Sequence, residues 1–430
     1  MKKNISNWGL FPSVKTEKIT GKTTKSVSEE IKSFDKIIAR GNGRCYGDAS
    51  LQNHIFSTLT FNHYLTFDKT TGILSCESGV LLDNIVKDFV PKGYFLPITP
   101  GTKFITIGGA IASDVHGKNH HKDGCFSDFL ESFKLVDHNG ITHFCSKTEN
   151  IELFWSTIGG MGHTGIITEA QFYLKKIESR YIRQESIKAK NLKEIFDLFE
   201  KSNEWTYTVA WIDCLQKGKT LGRSILLRGE HAKSTELSVN QLSLENPVSK
   251  PKNVPFFFPN FVLNKFGVKL FNFLFYYKQI RKFKSNFIDL ETYFYPLDSI
   301  HNWNKIYGKK GFIQYQFVIP KHAGYEGMSE VLNKISQSGE GSFLAVLKLF
   351  GSNNPLATNS FPIEGYTLAL DFKLNDKLPI LIKELDSIVQ KYKGRIYRAK
   401  DALSTPDLTN YVTSETNTKF VSLQSERYKK

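Results

Sequence analysis

Three glycine-rich turns, each at a junction between regular elements in the first ~175 residues, constrain this chain more than any other feature. The first is Gly41-Asn42-Gly43-Arg44-Cys45-Tyr46-Gly47-Asp48-Ala49, which follows the strand-like run Lys36–Arg40. The second begins at Pro100-Gly101 and continues through Thr106-Ile107-Gly108-Gly109-Ala110-Ile111-Ala112, a small uncharged stretch that predicts a short buried helix. The third, Gly159 to Gly165, separates a helical run, Ile151–Ile158, from a strand, Ile166–Leu174. Glycine lets a ligand approach bare backbone, and unpaired N–H groups in turns or at helix starts suit anions. One such turn is common in any fold. Three of them predict one extended, phosphate-bearing ligand held by main chain. The spacing excludes two nucleotide motifs: no G-K-[ST] follows, and Gly41, Gly43 and Gly47 do not fit G-x-G-x-x-G.

The second turn runs into His116-Gly117-Lys118-Asn119-His120-His121, the densest cluster of titratable groups in the chain. That succession predicts a reaction site beside the ligand site. His120 and His121 are expected at the surface, and no carboxylate or cysteine set accompanies them, so no metal site is predicted. Further along, Ile73–Val80 reads as a strand, Leu81–Val90 as a helix, and Phe133–His143 as a hairpin around Asn139-Gly140. Trp205–Asp213, Phe312–Ile319, Phe343–Phe350 and Tyr366–Phe372 are aromatic and β-branched runs of strand type.

The net charge of +15 favours anionic partners: phosphorylated small molecules, lipid surfaces or nucleic acid. Five cysteines without C-x-x-C spacing fit reduced thiols in a cytosolic protein. No apolar run has the length of a signal peptide or membrane span, which predicts a cytoplasmic protein, peripheral on the inner face of a membrane at most. The membrane expectation comes from Pro255–Phe287. It carries twelve aromatic and six basic residues, with no acid from Asn246 to Asn286. Aromatics mixed with Lys and Arg suit a bilayer interface. No nucleic-acid-binding module accompanies the segment, and no nucleic acid partner is expected.

The stretches RGNGRCYGD, PGT…TIGGAIASDVHGKN and ELFWSTIGGMGHTGIIT resemble the vanillyl-alcohol-oxidase (PCMH-type) FAD-binding superfamily. The resemblance continues through YTVAWIDC, WNKIYGKKGFIQYQFVIP, FLAVLKLFG, SFPIEGYTLALDF and GRIYRAKD, which are similar to its oxidases of lipid-phosphate-linked pentoses. It implies an α+β chain: a two-subdomain FAD-binding domain, residues 1–178 completed by 394–430, and a substrate domain, 179–393, with an antiparallel sheet flanked by helices. Residues 255–287 would be a mobile or membrane-facing segment of the latter.

The resemblance further implies that FAD contacts Ala39, Arg40, Gly41, Asn42, Gly43, Arg44, Cys45, Tyr46, Gly47, Asp48 and Ala49. It adds Gly101, Thr106, Ile107, Gly108, Gly109, His116, Gly117, Lys118, Asn119, Ile167 and Tyr397. The pyrophosphate would take N–H groups from the Gly41–Gly47 loop and the Gly108-Gly109 turn. Many relatives attach FAD through a histidine in the first loop. Arg44 stands there instead, which implies non-covalent FAD. Lys400 and His116 are the implied catalytic residues, and Lys118, Trp211, Gln314, Gln316, Lys348 and Lys400 the implied substrate contacts. Val209, Tyr295, Thr367 and Ala369 depart from the residues usual at substrate-side positions.

The implied reaction is oxidation of the 2′-OH of a polyprenyl-phosphate-linked pentose, such as decaprenylphosphoryl-ribose, to the 2-keto sugar. It would be the first half of an epimerisation in cell-envelope precursor synthesis, completed by a separate NAD(P)H-dependent reductase. Two alternatives stand beside it: an oxidase of free sugars, alditols or aldonolactones, and a peripheral membrane protein in which flavin is structural or absent.

Overall fold

The computed structural model describes residues 2–247, 251–259, 263–409 and 418–429. Parts of the expected membrane-facing segment, at 260–262, and of the C-terminal return, at 410–417, lie outside them.

The first sheet has the order Lys3–Ser6, Ser13–Thr20, His54–Ser57, Ile38–Arg40. Its last strand delivers the first glycine loop. The C-terminal residues return here: Ile37 N–H donates to the Lys419 carbonyl (2.9 Å), and Leu423 N–H to the Leu51 carbonyl (2.8 Å). The Arg427 guanidinium then clasps Asp48 (3.0 Å) and Asp401 (2.8 Å). The second sheet is antiparallel: Tyr64–Phe67, Ile73–Glu77, Ile166–Tyr173, Leu130–Val136, Thr142–Ser146. Its inner face buries Leu74, Phe133, Leu135, Ala170 and Phe172 with the Leu82–Phe89 and Ile107–Ala112 helices.

The third sheet has eight antiparallel strands: Phe283–Asp289, Tyr181–Ala189, Ser224–His231, Tyr207–Ile212, Ala345–Phe350, Gly365–Lys373, Phe312–Pro320 and Arg395–Ile396. Side chains alternate along a strand. Tyr315, Phe317, Ile319, Leu368, Leu370 and Phe372 therefore share one face, buried with residues of the Leu192–Glu200, Gly324–Ser338 and Leu378–Lys391 helices. Gln314, Gln316, Thr367, Ala369 and Asp371 occupy the other. Their register sets Gln314 opposite Asp371, Gln316 opposite Ala369, and Lys348 opposite Thr367. The chain leaves this sheet at Ile396, so Tyr397 to Lys400 cross from it toward the glycine loops. The chain is α+β, as the resemblance implied.

The described part of 255–287 holds a helix, Lys265–Lys278, and most of an edge strand, Phe283–Asp289. No strand was expected there. Lys284, Ser285 and Asn286 give it the polar, lysine-bearing composition of a guarded sheet edge.

Candidate active site

A cleft of about 310 Å³ lies between the glycine turns and the open face of the eight-stranded sheet. That volume sits at the lower end of small-molecule sites, about 300–1,000 Å³.

One wall is mostly main chain. Ala39, Gly41, Asn42, Gly43, Arg44, Cys45, Tyr46 and Ala49 line it from the first loop. Gly101, Thr106, Gly108 and Gly109 line it from the second turn, and Met161, Gly162, Gly165 and Ile167 from the third loop and its strand. The N–H groups of Asn42, Gly43, Arg44 and Cys45 donate to no described residue. Gly43 has φ +63°, the region glycine tolerates best. Nothing lies within 4 Å of the position a Cβ would take at Gly101. Unpaired donors beside an open glycine fit an extended anionic group laid along the loop. A bulge between Ile167 and Glu169 breaks the strand ladder beside the cleft.

The Gly108-Gly109 turn departs from expectation. Gly108 N–H is bonded to the Ser78 carbonyl (2.8 Å), and Ile107 N–H to Val80 (2.9 Å). Gly109 N–H is capped by the Thr106 hydroxyl (3.1 Å). These donors are taken, so the pair approaches a ligand by lack of bulk and not by donating to a phosphate.

The other wall carries side chains: Gln314, Gln316, Val346, Lys348, Ala369 and Asp371. His116, Tyr397 and Lys400 close the space between the walls. Tyr397 gives its hydroxyl proton to the Ser113 carbonyl (2.9 Å) and stacks on Phe361 (4.8 Å).

Hydrogen-bond directions fix proton positions around His116. The Thr367 hydroxyl donates to the Phe317 carbonyl (2.8 Å), so it can only accept from Gln316, whose Nε2 faces it at 3.3 Å. The same Nε2 faces His116 Nε2 at 3.3 Å, which assigns a lone pair there and the ring proton to Nδ1. Nδ1 faces Lys348 Nζ at 2.9 Å. Lys348 must then accept, as a neutral amine. Burial, with the neighbouring Lys400 and Lys118 charges, pulls its pKa down to about 7. Burial, with the Lys348 charge next, also holds the His116 imidazole well below the usual histidine range.

Lys400 differs. Its amine lies 4.0 Å over the Tyr46 ring and donates to no described residue. Burial pulls its pKa down, while the nearby Asp371 carboxylate opposes that shift. Asp371 accepts from Gln314 Nε2 (2.5 Å) and the Tyr307 hydroxyl (3.3 Å). Burial pushes the Cys45 thiol up, so it is not a resident thiolate. The Arg44 guanidinium stacks over Trp8 (4.0 Å) and Phe104 (5.1 Å).

Eight expected site residues do not line the cleft. Arg40 turns to the Asn7 side chain and the Ser6 carbonyl. A side chain at Gly47 would run into the Asp401 carbonyl, so that glycine serves the C-terminal return, as does Asp48. Ile107 is core. Gly117 makes room for the Asn119 side chain, which bonds the Pro97 carbonyl (2.9 Å) and Asp123 (2.7 Å). Lys118 is half-buried and does not line the cleft: its amine donates to the Tyr293 carbonyl and lies 4.2 Å over that ring. Trp211 donates to the Phe343 carbonyl (3.1 Å) at the edge of the cleft wall.

The surface expectation for the two histidines fails. His120 is buried against Phe350 (4.4 Å between rings), and His121 is half-buried, donating to the Trp205 carbonyl (2.8 Å). Packing of the aromatic strand end at Phe350, absent from the local sequence, is the reason.

Asp371 and Asp298, which also line the cleft, were missed. Asp371 was findable. It shares the i, i+2, i+4 face of its strand with Thr367 and Ala369, and it is the lone acid in GYTLALDFK.

A flavin-type main-chain cradle facing a wall of titratable groups defines an FAD-dependent oxidoreductase. The family described as FAD binding domain matches residues 19–146. The decaprenylphosphoryl-β-D-ribose oxidase of Mycolicibacterium smegmatis is 36% identical over 379 residues, covering 86% of this chain and 82% of that one. The chain belongs to that oxidase family. An uncharacterized protein of Streptomyces coelicolor is 27% identical over 340 residues, 76% of this chain and 91% of its own. A D-lactate dehydrogenase of Anaerostipes hadrus is 33% identical over 129 residues, only 29% of this chain.

Proposed function

We propose that this FAD enzyme oxidises the 2′-hydroxyl of a polyprenyl-phosphate-linked pentose to a ketone, with decaprenylphosphoryl-ribose, the sugar in the relative's name, as the reference substrate. The observation that carries the reading is Lys400: a half-buried amine, without a hydrogen-bond partner among the described residues, in the same cleft as the unpaired loop N–H groups. FAD, when bound, supplies the two-electron acceptor for the hydride leaving the carbinol carbon.

The chain's own residues handle the proton and the pose. Asn42 to Cys45 hold the anionic part of the cofactor through main chain. Lys400, its pKa lowered by burial, takes the hydroxyl proton, and Asp371 stabilises the ammonium that results. His116 has both ring nitrogens engaged, so it acts as a positioning residue that holds Lys348 and Gln316 toward the substrate. The keto product is then reduced by a separate NAD(P)H-dependent enzyme. No helix among the described residues is long and apolar enough to cross a membrane. A lipid-linked substrate therefore calls for peripheral work at the inner face of the membrane.

The test is anaerobic mixing of the holoprotein with a short-chain prenyl-phosphoryl ribose, followed by flavin absorbance. Bleaching by the lipid-linked sugar and none by free ribose is expected. Bleaching by free pentoses or alditols, with no response to the lipid-linked sugar, would reject the reading.

A further inference from the structure

The Lys265–Lys278 helix is built inside out for a protein in water. An amphipathic helix ordinarily turns its apolar stripe to the core and its polar face to solvent. Here the buried residues are Val268, Asn272 and Tyr276, one stripe at helical spacing. The two polar members are anchored: Asn272 Nδ2 donates to Asp213 (2.8 Å), and the Tyr276 hydroxyl to the Ala189 carbonyl (3.2 Å). Phe266, Leu270, Phe273, Leu274 and Tyr277 form a second stripe. With 3.6 residues per turn it falls on the far side of the helix. All five are exposed, Phe266 by 76% and Leu274 by 58%. Just beyond the helix, Ile280 is 91% exposed. Single exposed apolar residues need no explanation; a contiguous stripe does.

Charge surrounds the stripe with one sign. Lys269, Lys278, Arg281 and Lys284 are exposed around it, and the run from Asn246 to Asn286 holds no acid. The Glu194 carboxylate that does approach is paired with Lys282 (2.6 Å). Apolar side chains ringed by cations match the interface of an anionic bilayer, where the two attractions add.

The stripe is also joined to the cleft. On the flank of the same helix, Phe271 packs on Phe343 (5.4 Å) and Phe275 on Trp211 (4.7 Å). Leu344, next to Phe343, lines the cleft, as does Val346, the cross-strand partner of Trp211. An unbroken apolar path therefore runs from the exposed helix to the cleft wall. We propose that the outward face of the Lys265–Lys278 helix seats this enzyme on an anionic bilayer, with the Phe271–Phe343–Leu344 path leading a lipid tail toward the cleft. The second half rests on the lipid-linked substrate proposed above; the docking half does not.

The test is co-sedimentation of the holoprotein with vesicles of phosphatidylcholine alone or mixed with phosphatidylglycerol. Wild type should bind the mixed vesicles and release as salt rises. Replacing Lys269, Lys278, Arg281 and Lys284 with Gln should weaken partitioning about fivefold per removed charge. Replacing Phe266, Phe273 and Leu274 with Ser should abolish binding even at low salt. Both variants should keep bound flavin and wild-type bleaching by a water-soluble short-chain substrate, which separates lost docking from lost folding or lost chemistry. Wild type that stays in the supernatant, or a serine variant that binds like wild type, would overturn the proposal. So would a wild-type dimer that the serine variant splits, with no vesicle binding, since the stripe would then be covered by a second copy.

Discussion

The wall of the cleft built from the glycine turns offers unpaired N–H groups and few side chains, whereas the wall built from the eight-stranded sheet offers Gln314, Gln316, Lys348 and Asp371 on alternating positions of three strands. Main-chain recognition is hard to change by substitution, because each donor comes from the backbone and each glycine from a steric demand. Side-chain recognition is easy to change, because one sheet register carries any residue of the right size. The first wall therefore suits an invariant cofactor. The second sets substrate and proton chemistry.

The largest effects should come from disturbing the C-terminal return that supports the main-chain wall. Gly47→Ala puts a Cβ onto the Asp401 carbonyl, a backbone atom that cannot swing aside. We expect destabilisation of about 3 kcal/mol or more and purification largely without flavin, read by thermal unfolding and flavin content. Attachment should be all or none: the first glycine loop holds no histidine from Gly41 to Gln52 and Arg44 is stacked on Trp8, so acid precipitation should release all the flavin. Fluorescent flavin on a denatured gel band would contradict this.

On the side-chain wall, the chemistry should fail while the fold survives. Lys400→Ala should keep FAD and slow anaerobic flavin reduction by about 10²–10⁴-fold, the usual worth of a general base. Near wild-type reduction at saturating substrate would move the base elsewhere, with Lys348 next in line.

The two walls were also unequally legible. The glycine loops stand out in sequence because glycine declares its steric purpose locally. What the sequence hid was where donors go: Gly108 and Ile107 bond to Ser78 and Val80, supplied by a distant strand end. Four of the eight strands of the sheet were visible from their aromatic and β-branched runs. Their register was not, and only register sets Asp371 opposite Gln314 and close to Lys400. Lys118 read as a cleft residue by its neighbours. The fold sends its amine to a main-chain carbonyl on the short Leu290–Phe294 helix. The Pro255–Phe287 segment gave its composition in sequence, but not that its apolar stripe faces outward.

A pH profile probes Lys348 next. The amine form is the one that accepts from His116, so the low-pH side is the inactive side. As pH falls through about 7, Lys348 becomes an ammonium and His116 loses its partner. Flavin reduction should level off above about 8, fall about tenfold per pH unit between there and 7 as Lys400 protonates, and steepen toward about a hundredfold per unit below 7 as Lys348 follows. Lys348→Met should lose the limb near neutrality and retain one set by Lys400. The same burial has a consequence for stability. Lys348 and Lys118 both have folded pKa values near 7, below the unfolded lysine value. Between those values the unfolded chain binds more protons, so stability should rise with pH above neutrality and be least below it.

The smallest effect tests the hydrogen-bond directions themselves. Lys348 is held neutral because Thr367, its own proton given to Phe317, makes Gln316 present Nε2 to His116. Thr367→Val removes that acceptor while keeping the shape. The Gln316 amide can then turn over and present its oxygen to His116 Nε2, which takes the ring proton and leaves a lone pair on Nδ1. Lys348 can now donate to Nδ1 as an ammonium, so its charged form is favoured and its pKa rises from about 7. One neutral hydrogen bond is worth about 0.5–1.5 kcal/mol, which predicts a rise of up to about one pKa unit. Flavin reduction should fall a few-fold at neutral pH and match wild type at alkaline pH. A uniform loss across the whole profile would mean that Thr367 only supports the strand. An unchanged profile would mean that Gln316 is oriented by something other than the Thr367 hydroxyl.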